Sequence, residues 1–241
     1  MGDISIIARR LSAQHIQYGW AGNSGYPGTV GVRLWNYYNT PEMVEYLFSL
    51  GQLQQLCEPD SENSNNTFRT IPTDRPHWVS TKELDVYKKI AFVDHVYLYD
   101  SDGRWYYIAP LIVHIKIQLN IVLNHTSKGG ILASDFRLHL ERAAFKTVQQ
   151  WYDSNEQFRE YAIKAGYDNR QISELGQLLE CAEDIWSVYE DNTLLARLSN
   201  LYHYFYPWAV AKTDKSGGCI EKIILRPQNA VVHLETIEWN F

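Results

Sequence analysis

Hydrophobic and polar positions alternate along the first part of the chain, and this period of two predicts strands. Ile4 to Leu11 is β-branched and apolar, and His15 to Tyr18 resumes the alternation after three small or polar residues. Because such residues favour a turn between two strand-like runs, we expect the two segments to form a β-hairpin.

A second hairpin is predicted around Asp100 to Gly103. Two aromatic-rich runs, Ala91 to Tyr99 and Arg104 to Ile108, flank this Asp-Ser-Asp-Gly segment, whose composition is typical of a tight turn. The run from Leu111 to Leu119 continues the alternation and predicts a further strand. We expect all of these strands to pair in one antiparallel sheet.

Helix signals follow the first hairpin. Thr40 is a natural N-cap with a proline at the first helical position, and Gly51 supplies a stop. The sequence therefore predicts a helix from Pro41 to Leu50. Its apolar side chains recur on one face, so we expect it to dock on the sheet.

Two other segments lie between the hairpins. The nearly all-polar run from Glu58 to Asn66 predicts a mobile loop, because it has little to bury in return for being ordered. Ser80 to Glu83 has the pattern of a capping box, which predicts a short helix to about Ile90.

Beyond Gly129 and Gly130 the hydrophobic period changes to about 3.6, which predicts helices. The last two helices should pack against each other as a small bundle. The chain is thus predicted to be α+β: an antiparallel sheet with one or two covering helices, then the helical bundle and a returning C-terminal strand. The boundary divides a sheet domain at 1–128 from a mainly helical subdomain at 129–241. We expect helices at Ser134 to Tyr152, Ser154 to Gly166, Ile172 to Tyr189 and Leu194 to Phe205, and strands at Cys219 to Leu225 and Ala230 to Ile237.

Between Gly19 and Gly31 a glycine stands at every third position, with aromatic residues among them. Glycine lets other groups approach the backbone closely, while Tyr and Trp offer rigid contact area with a polar group, so the segment predicts a loop that presents aromatic side chains. Two interpretations stay open, a ligand or partner site and a structural corner of the sheet. The candidate binding residues are His15, Tyr18, Trp20, Asn23, Tyr26, Arg33 and Trp35.

The composition is that of a globular protein with an unusual aromatic content. The 241 residues include 17 Tyr and 8 Trp, residue types that are enriched at interfaces as well as common in cores. A net charge of −6 argues against non-specific binding to a nucleic-acid backbone. The three cysteines make a poor disulfide framework, and no apolar run approaches the length of a membrane span. We therefore expect a cytoplasmic protein.

Familiar catalytic and cofactor motifs are missing from the sequence. The glycine segment lacks the spacing of the dinucleotide and P-loop phosphate motifs, and Gly22-Asn23-Ser24-Gly25 lacks the spacing of a nucleophile elbow. The eight histidines include no short pair of metal ligands. We expect no cofactor and no metal, and an enzyme is less favoured than a binding protein.

Acidic residues concentrate in the C-terminal half. Between Asp168 and Asn192 seven carboxylates accompany a single arginine, which gives a local charge of −6. This stretch is either an ordinary solvated helix face or a surface aimed at a basic partner. The candidate residues of such a partner surface are Glu174, Glu180, Glu183, Asp184, Glu190 and Asp191.

Four segments stand out in the N-terminal half: His15 to Asn23, Pro41 to Gln52, Tyr97 to Asp100 and Arg104 to Ile108. Together they resemble a group of bacterial proteins of unknown function that travel with mobile elements. The resemblance covers about the first 120 residues. It implies one shared domain and a cytosolic accessory role, and it adds no catalytic residue.

Two functional hypotheses follow. The favoured one is an accessory or inhibitory protein of a mobile element that engages a macromolecular partner, most simply a protein, through its aromatic and acidic surface. The alternative is an enzyme or small-ligand-binding protein that holds a polar, planar ligand at the aromatic glycine segment. A purely structural subunit of a larger assembly is a third possibility.

Overall fold

The computed structural model describes residues 4–22, 24–59, 70–80, 93–109, 115–127, 130, 133, 136–138, 140, 142, 156–164, 166–181, 209–213 and 220–225. The strands are β1 (Ile4–Ser12), β2 (His15–Ala21), β3 (Leu53–Gln55), β4 (Ile71–Pro72), β5 (Trp78–Ser80), β6 (Val93–Tyr99), β7 (Trp105–Ala109), β8 (Ile115–Gln118), β9 (Ala209–Thr213) and β10 (Ile220–Leu225). The helices are α1 (Val32–Tyr37), α2 (Pro41–Ser49), α3 (Leu119–Asn124), α4 (Glu156–Lys164) and α5 (Asn169–Cys181), and a π-helical turn spans Pro27–Gly31.

The strands form one mixed sheet in the order β10-β9-β8-β7-β6-β1-β2-β3-β4, with β5 paired to β2. The α+β class is therefore confirmed, but the prediction of a purely antiparallel sheet is wrong. Strands β1 and β6 are parallel, as are β2 and β3, and β8 and β9. Periodicity identifies strands, but it carries no information on how strands distant in sequence pair.

Both predicted hairpins are confirmed. Strands β1 and β2 pair antiparallel from Ser5↔Ala21 to Ser12↔His15, and β6 and β7 pair from Val96↔Ile108 to Tyr99↔Trp105. In the second turn Gly103 has a φ of +74°, a conformation that side chains with a Cβ rarely adopt. The Asp-Ser-Asp-Gly segment that the sequence predicted as a tight turn is thus the turn that joins β6 to β7.

Side-chain alternation gives the sheet two faces. One face is covered by helices: Arg9 pairs with Glu45 of α2, and the indole Nε1 of Trp105 donates to the carbonyl oxygen of Tyr38 after α1 at 2.6 Å. We call this the helix-covered face and the other the opposite face. The opposite face carries a buried apolar cluster of Ile6, Ala8, Ile16, Tyr18, Val96, Leu98 and Ile108.

Helix α2 follows the prediction closely. The Thr40 hydroxyl oxygen accepts a hydrogen bond from the Met43 amide at 3.3 Å, which is the expected N-cap. Val44, Leu47 and Phe48 are buried, while Gly51 has a φ of +76° after the end of the helix. The predicted amphipathic docking is therefore confirmed.

The glycine segment is not the loop that its composition predicted. Its first glycine, Gly19, lies within β2, residues 27–31 form the π-helical turn, and α1 follows directly. The predicted strand from Leu111 to Leu119 is also shorter: within the described residues it is β8, and Leu119 already begins α3. Glycine spacing and apolar alternation do not distinguish a loop or strand from a short helix held by packing.

The C-terminal half agrees with the prediction at three elements, but the strand β9, which pairs with β8, was not predicted. Helix α4 lies inside the range predicted to end near Gly166, α5 covers the start of the next predicted helix, and β10 coincides with the predicted strand after Cys219. The loop after Glu58, the helix after Ser80, the helix after Leu194 and the strand after Ala230 fall mainly or wholly outside the described residues. The two-domain division stays a prediction. Across the part of the chain that is described, no helix combines the length and apolar character needed to cross a membrane.

One close backbone crossing attaches the π-helical turn to the segment after α3. The Gly28 amide donates to the carbonyl oxygen of Gly130 at 2.8 Å. A Cβ built on Gly28 would lie 2.2 Å from the Cα of Gly130. The two backbone segments can therefore approach this closely only because both residues lack side chains.

Replacing Gly28 with alanine should therefore destabilise the fold, because one backbone has to move away from the other. We expect the free energy of unfolding in urea to fall by about 1–3 kcal/mol. Gly31→Ala is the matched control, since the nearest atoms to a Cβ there would be side-chain atoms, those of Leu119 and Tyr97 at 3.3 Å and of Leu123 at 3.5 Å. Equal losses in the two variants would contradict this explanation.

Candidate functional site

The aromatic residues of the glycine segment do not share one site. Tyr18 is fully buried, with 0% exposure, in the apolar cluster on the opposite face. Tyr26 lies over the helix-covered face, where its ring meets the His95 ring edge-on at a centroid distance of 5.5 Å. Because Tyr18 and Tyr26 are on different sides of the sheet, the structure does not bring these two candidate residues together.

The other candidates from this segment are also dispersed. His15 is exposed at the tip of the first hairpin, with its Nδ1 3.1 Å from the Ser12 hydroxyl. Trp20 and Arg33 are half-buried, and Asn23 lies outside the described residues. Trp35 is the large aromatic of the set that reaches solvent, with 41% exposure on α1. The structure therefore keeps Trp35 as a candidate contact residue.

The acidic candidates are only partly described. Glu174 is exposed on α5, and its carboxylate accepts a hydrogen bond from Arg170 Nε at 2.9 Å, one helical turn away. Glu180 belongs to the same helix. The remaining residues of the proposed acidic surface, which are Glu183, Asp184, Glu190 and Asp191, lie outside the described residues.

The mixed sheet brings a different set of polar residues together. Strand β1 is parallel to β6, and β8 also runs in the direction of β6 because β7 is antiparallel to both. The carboxyl ends of β1, β6 and β8 therefore meet at one edge of the sheet. Arg10, Asp100 and Gln118 lie at those ends.

A buried ion cluster holds this edge together. Arg10 Nε donates to Asp100 Oδ1 at 2.5 Å, and Lys116 Nζ donates to Asp100 Oδ2. The side chains are only 10–12% exposed, and we call the three residues the Asp100 cluster. Burial alone would raise the pKa of Asp100, but the hydrogen bond and charge of Lys116, with help from the Ser101 amide and Arg10, lower it to about 2.

Further hydrogen bonds stabilise the turn between β6 and β7, which begins at Asp100. Tyr106 donates its hydroxyl hydrogen to Asp102 Oδ2 at 2.6 Å, and Lys116 Nζ lies 4.2 Å from the centroid of the Tyr106 ring. Backbone hydrogen bonds join Asp100 to Arg104 and Gly103 at 3.0 Å each. The turn that ends at residue 104 is therefore held to β1 and β8 through Asp100 and to β7 through Asp102.

On the helix-covered side of this edge lies a surface pocket, which we call the Trp35 pocket. It is formed where α1, the start of β7, the end of β8 and α3 meet. The buried Trp105 lies beside it, fixed by its hydrogen bond to Tyr38. The lining residues are Trp35, Arg104, Trp105, Gln118 and Asn120.

The polar side chains of the Trp35 pocket are not used by the fold. Within the described ranges, the side chains of Arg104, Gln118 and Asn120 have no hydrogen-bond or ion-pair partner. Arg104 is exposed and Gln118 and Asn120 are half-buried, so a ligand can reach all three residues. Two of the five lining residues are tryptophans and the other three are polar.

The titratable groups beside the pocket do not favour acid–base catalysis. The pKa of Asp100 is about 2, so its carboxyl group stays ionised at neutral pH. Burial together with the carboxylate of Asp102 raises the pKa of Tyr106, so its phenol stays protonated there. Neither group exchanges a proton near neutral pH, where a general base is effective. Among the described residues, no three His, Cys, Asp or Glu side chains lie close enough to hold a metal ion.

Sequence reasoning missed the pair formed by His95 and Tyr107. His95 Nδ1 lies 3.1 Å from the Tyr107 hydroxyl on the neighbouring strand, and His95 is only 8% exposed. Tyr97, packed against Tyr107, donates to the carbonyl oxygen of Gly25 at 2.8 Å. This aromatic cluster attaches the glycine segment to the sheet.

The lining of the Trp35 pocket was missed as well. Arg104 follows a predicted turn directly, which is a signal that could have marked it, whereas Gln118 and Asn120 come together with it only through strand pairing. Comparisons of the chain with family models, with curated proteins and with solved structures find no match.

The Asp100 cluster gives stability that depends on pH. Since the pKa of Asp100 is about 2 in the folded protein and about 4 in an unfolded chain, its stabilising effect is complete above pH 4 and is lost as the pH falls towards 2. Asp100→Asn should cost about 3–5 kcal/mol at pH 7, because it removes the buried carboxylate that Arg10 and Lys116 share.

Urea unfolding of both proteins between pH 7 and pH 2 measures this effect. The difference in free energy of unfolding between wild type and Asp100→Asn should shrink by about 1–2 kcal/mol as the pH falls from 4 to 2. A difference that stays constant over this range would show that the carboxylate does not act through its charge.

Proposed function

We propose that this chain is a binding protein and that it holds a planar, polar ligand in the Trp35 pocket. Trp35 supplies a flat surface on which a ring can stack, and Gln118 and Asn120, which also line the pocket, are residue types that can hydrogen-bond a polar ligand. The proposal keeps the planar ligand expected from the sequence. It moves the site from the glycine segment as a whole to the end of α1.

One observation carries the proposal: the exposed indole of Trp35 lines a surface pocket together with the polar residues Arg104, Gln118 and Asn120. Within the described part of the chain, no hydrogen bond or ion pair of the fold uses these three polar side chains, whereas the neighbouring Arg10, Lys116 and Asp102 are all engaged. The fold thus holds the turn with one set of polar side chains and leaves another set available near the pocket.

Binding fits these groups better than catalysis does. A nucleophile or base needs a pKa tuned by its surroundings towards its task, and the carboxylate and phenol beside the pocket are shifted away from neutrality. A rigid aromatic surface in a pocket with polar residues gives orientation and selectivity instead. The described residues therefore favour recognition of a ligand that leaves unchanged.

The accessory role in a mobile element and the protein partner remain separate predictions. Glu174 supports them by its exposure on α5, where it can face a basic surface. A ligand in the Trp35 pocket is compatible with such a role, because the pocket and α5 are different parts of the chain.

A thermal-shift screen with planar compounds tests the proposed binding. Nucleosides, nucleotides, aromatic acids and aromatic amides are suitable probes, since they combine a ring with polar groups. A probe at about 100 times its Kd should stabilise the protein by about 2.7 kcal/mol, which raises Tm by about 5–10 °C in a chain of this size. No shift with any of these probes would contradict the proposal.

Trp35→Ala should weaken the binding of any probe found in this way. Loss of one stacked ring typically costs about 1–3 kcal/mol, so Kd measured by calorimetry should rise about 5- to 150-fold. Tyr46→Ala is the matched control, because Tyr46 is a similarly exposed aromatic residue on α2, with 46% exposure. An unchanged Kd in Trp35→Ala would move the site elsewhere.

A further inference from the structure

The inner side of the Trp35 pocket is formed by a tryptophan that the fold already holds in place. Trp105 is only 2% exposed, and its indole Nε1 donates to the carbonyl oxygen of Tyr38 at 2.6 Å. Its ring also meets the Tyr99 ring edge-on, at a centroid distance of 5.3 Å. Because its one polar hydrogen is already bonded, Trp105 offers a ligand only carbon surface, and it offers that surface in a fixed position.

Trp35 forms the exposed side of the same pocket. Its side chain reaches solvent, while its carbonyl oxygen accepts a hydrogen bond from the side-chain amide of Asn39 at 2.9 Å, at the C-terminal end of α1. Two tryptophans, one on α1 and one on β7, therefore border one space. Such a pair suits an aromatic ring, because the ring gains contact with both surfaces.

The charges of the neighbouring turn lie on the other face of the sheet. Alternation along β7 puts Trp105 and Tyr106 on opposite faces, and it starts the side chain of Arg104 on the face of Tyr106. Lys116 lies over the Tyr106 ring and pairs with Asp100, so these two charges are on that face as well. The net charge of −6 adds a long-range repulsion of anions. The pocket is therefore better suited to an uncharged group than to an anion.

The volume of the Trp35 pocket limits what can enter it. The cavity measures about 210 Å³. An apolar protein cavity of about 150 Å³ holds a benzene ring, whereas pockets for drug-sized ligands begin at about 300 Å³. The pocket therefore has room for one ring or two fused rings, and the rest of a larger ligand has to extend into solvent.

We propose that the Trp35 pocket takes an uncharged heteroaromatic compound of one or two fused rings, and that any charged substituent of this ligand stays in solvent. This inference rests on the proposed function and names the class of ligand. Contact with two tryptophans selects for a flat shape and for size. Asn120, which also lines the pocket, is a residue type that can hydrogen-bond a nitrogen of the ring.

Matched pairs of probes that differ in charge test whether the charged substituent stays in solvent. Adenosine is compared with adenosine 5′-monophosphate, and indole-3-acetamide with indole-3-acetate, with Kd measured by calorimetry on the full chain. In any pair that binds, the anion should bind no more than about 5-fold more tightly than its neutral counterpart, because a solvated charge contributes little. For the same reason Kd should change little between low and high salt.

A series of fused rings tests the size of the ligand. Pyridine, quinoline and acridine contain one, two and three fused rings, and they are compared at a pH where all three are uncharged. Quinoline should bind about 5-fold or more tightly than pyridine, because its second ring is removed from water inside the pocket. Acridine should bind no more tightly than quinoline, since its third ring has no room there.

Variants of Trp35 connect these affinities to the pocket. Trp35→Ala should raise Kd of both members of a pair by the same factor, because both members place the same ring on the indole. Trp35→Phe should keep part of the affinity, since a smaller ring remains. Circular dichroism and Tm establish that each variant is folded.

The outcomes separate this inference from the proposed function. Uncharged rings that bind within these limits, and that lose affinity together with their anions in Trp35→Ala, support the inference. An anion preference above about 5-fold, binding of charged probes alone, or an affinity series that does not level off at two rings overturns the inference and leaves the proposed function intact. Failure of every probe, with no thermal shift in the wider screen, overturns both.

Discussion

The carboxylate of Asp100 is the contact on which the candidate site depends. It follows β6, accepts hydrogen bonds from Arg10 at the end of β1 and from Lys116 in β8, and so joins three strands that run in one direction. Two cations that share one buried carboxylate would repel each other without it, and neither could be desolvated alone at low cost. The turn between β6 and β7, which carries Arg104, is fixed as a consequence.

A second constraint places the aromatic side of the pocket. The π-helical turn before α1 approaches the backbone at Gly130 as closely as two glycines allow, and Tyr97 donates to the carbonyl oxygen of Gly25 just before this turn. These contacts seat α1 on the sheet and bring Trp35 to the edge that the Asp100 cluster organises. The glycines of this segment therefore position α1, and Trp35 is exposed on that helix.

Local features of the fold were predictable from the sequence, because capping, turn chemistry and alternation act between neighbours in the chain. The Thr40 cap and the turn ending at Gly103 are examples. The parallel pairing of β1 with β6 was not predictable, since it joins segments about 90 residues apart through backbone groups common to all sequences. Trp35 was found from its residue type, whereas Gln118 and Asn120 enter the site only through that topology.

The central claim is that Trp35 contacts a planar ligand, and nuclear magnetic resonance tests it most directly. The indole N–H signal of Trp35, assigned with the variant Trp35→Phe, is followed while a planar probe that stabilises the protein in the thermal-shift screen is added. The signal should move along a saturation curve whose Kd agrees with the Kd from calorimetry. A Trp35 signal that stays in place while the probe binds would contradict the account.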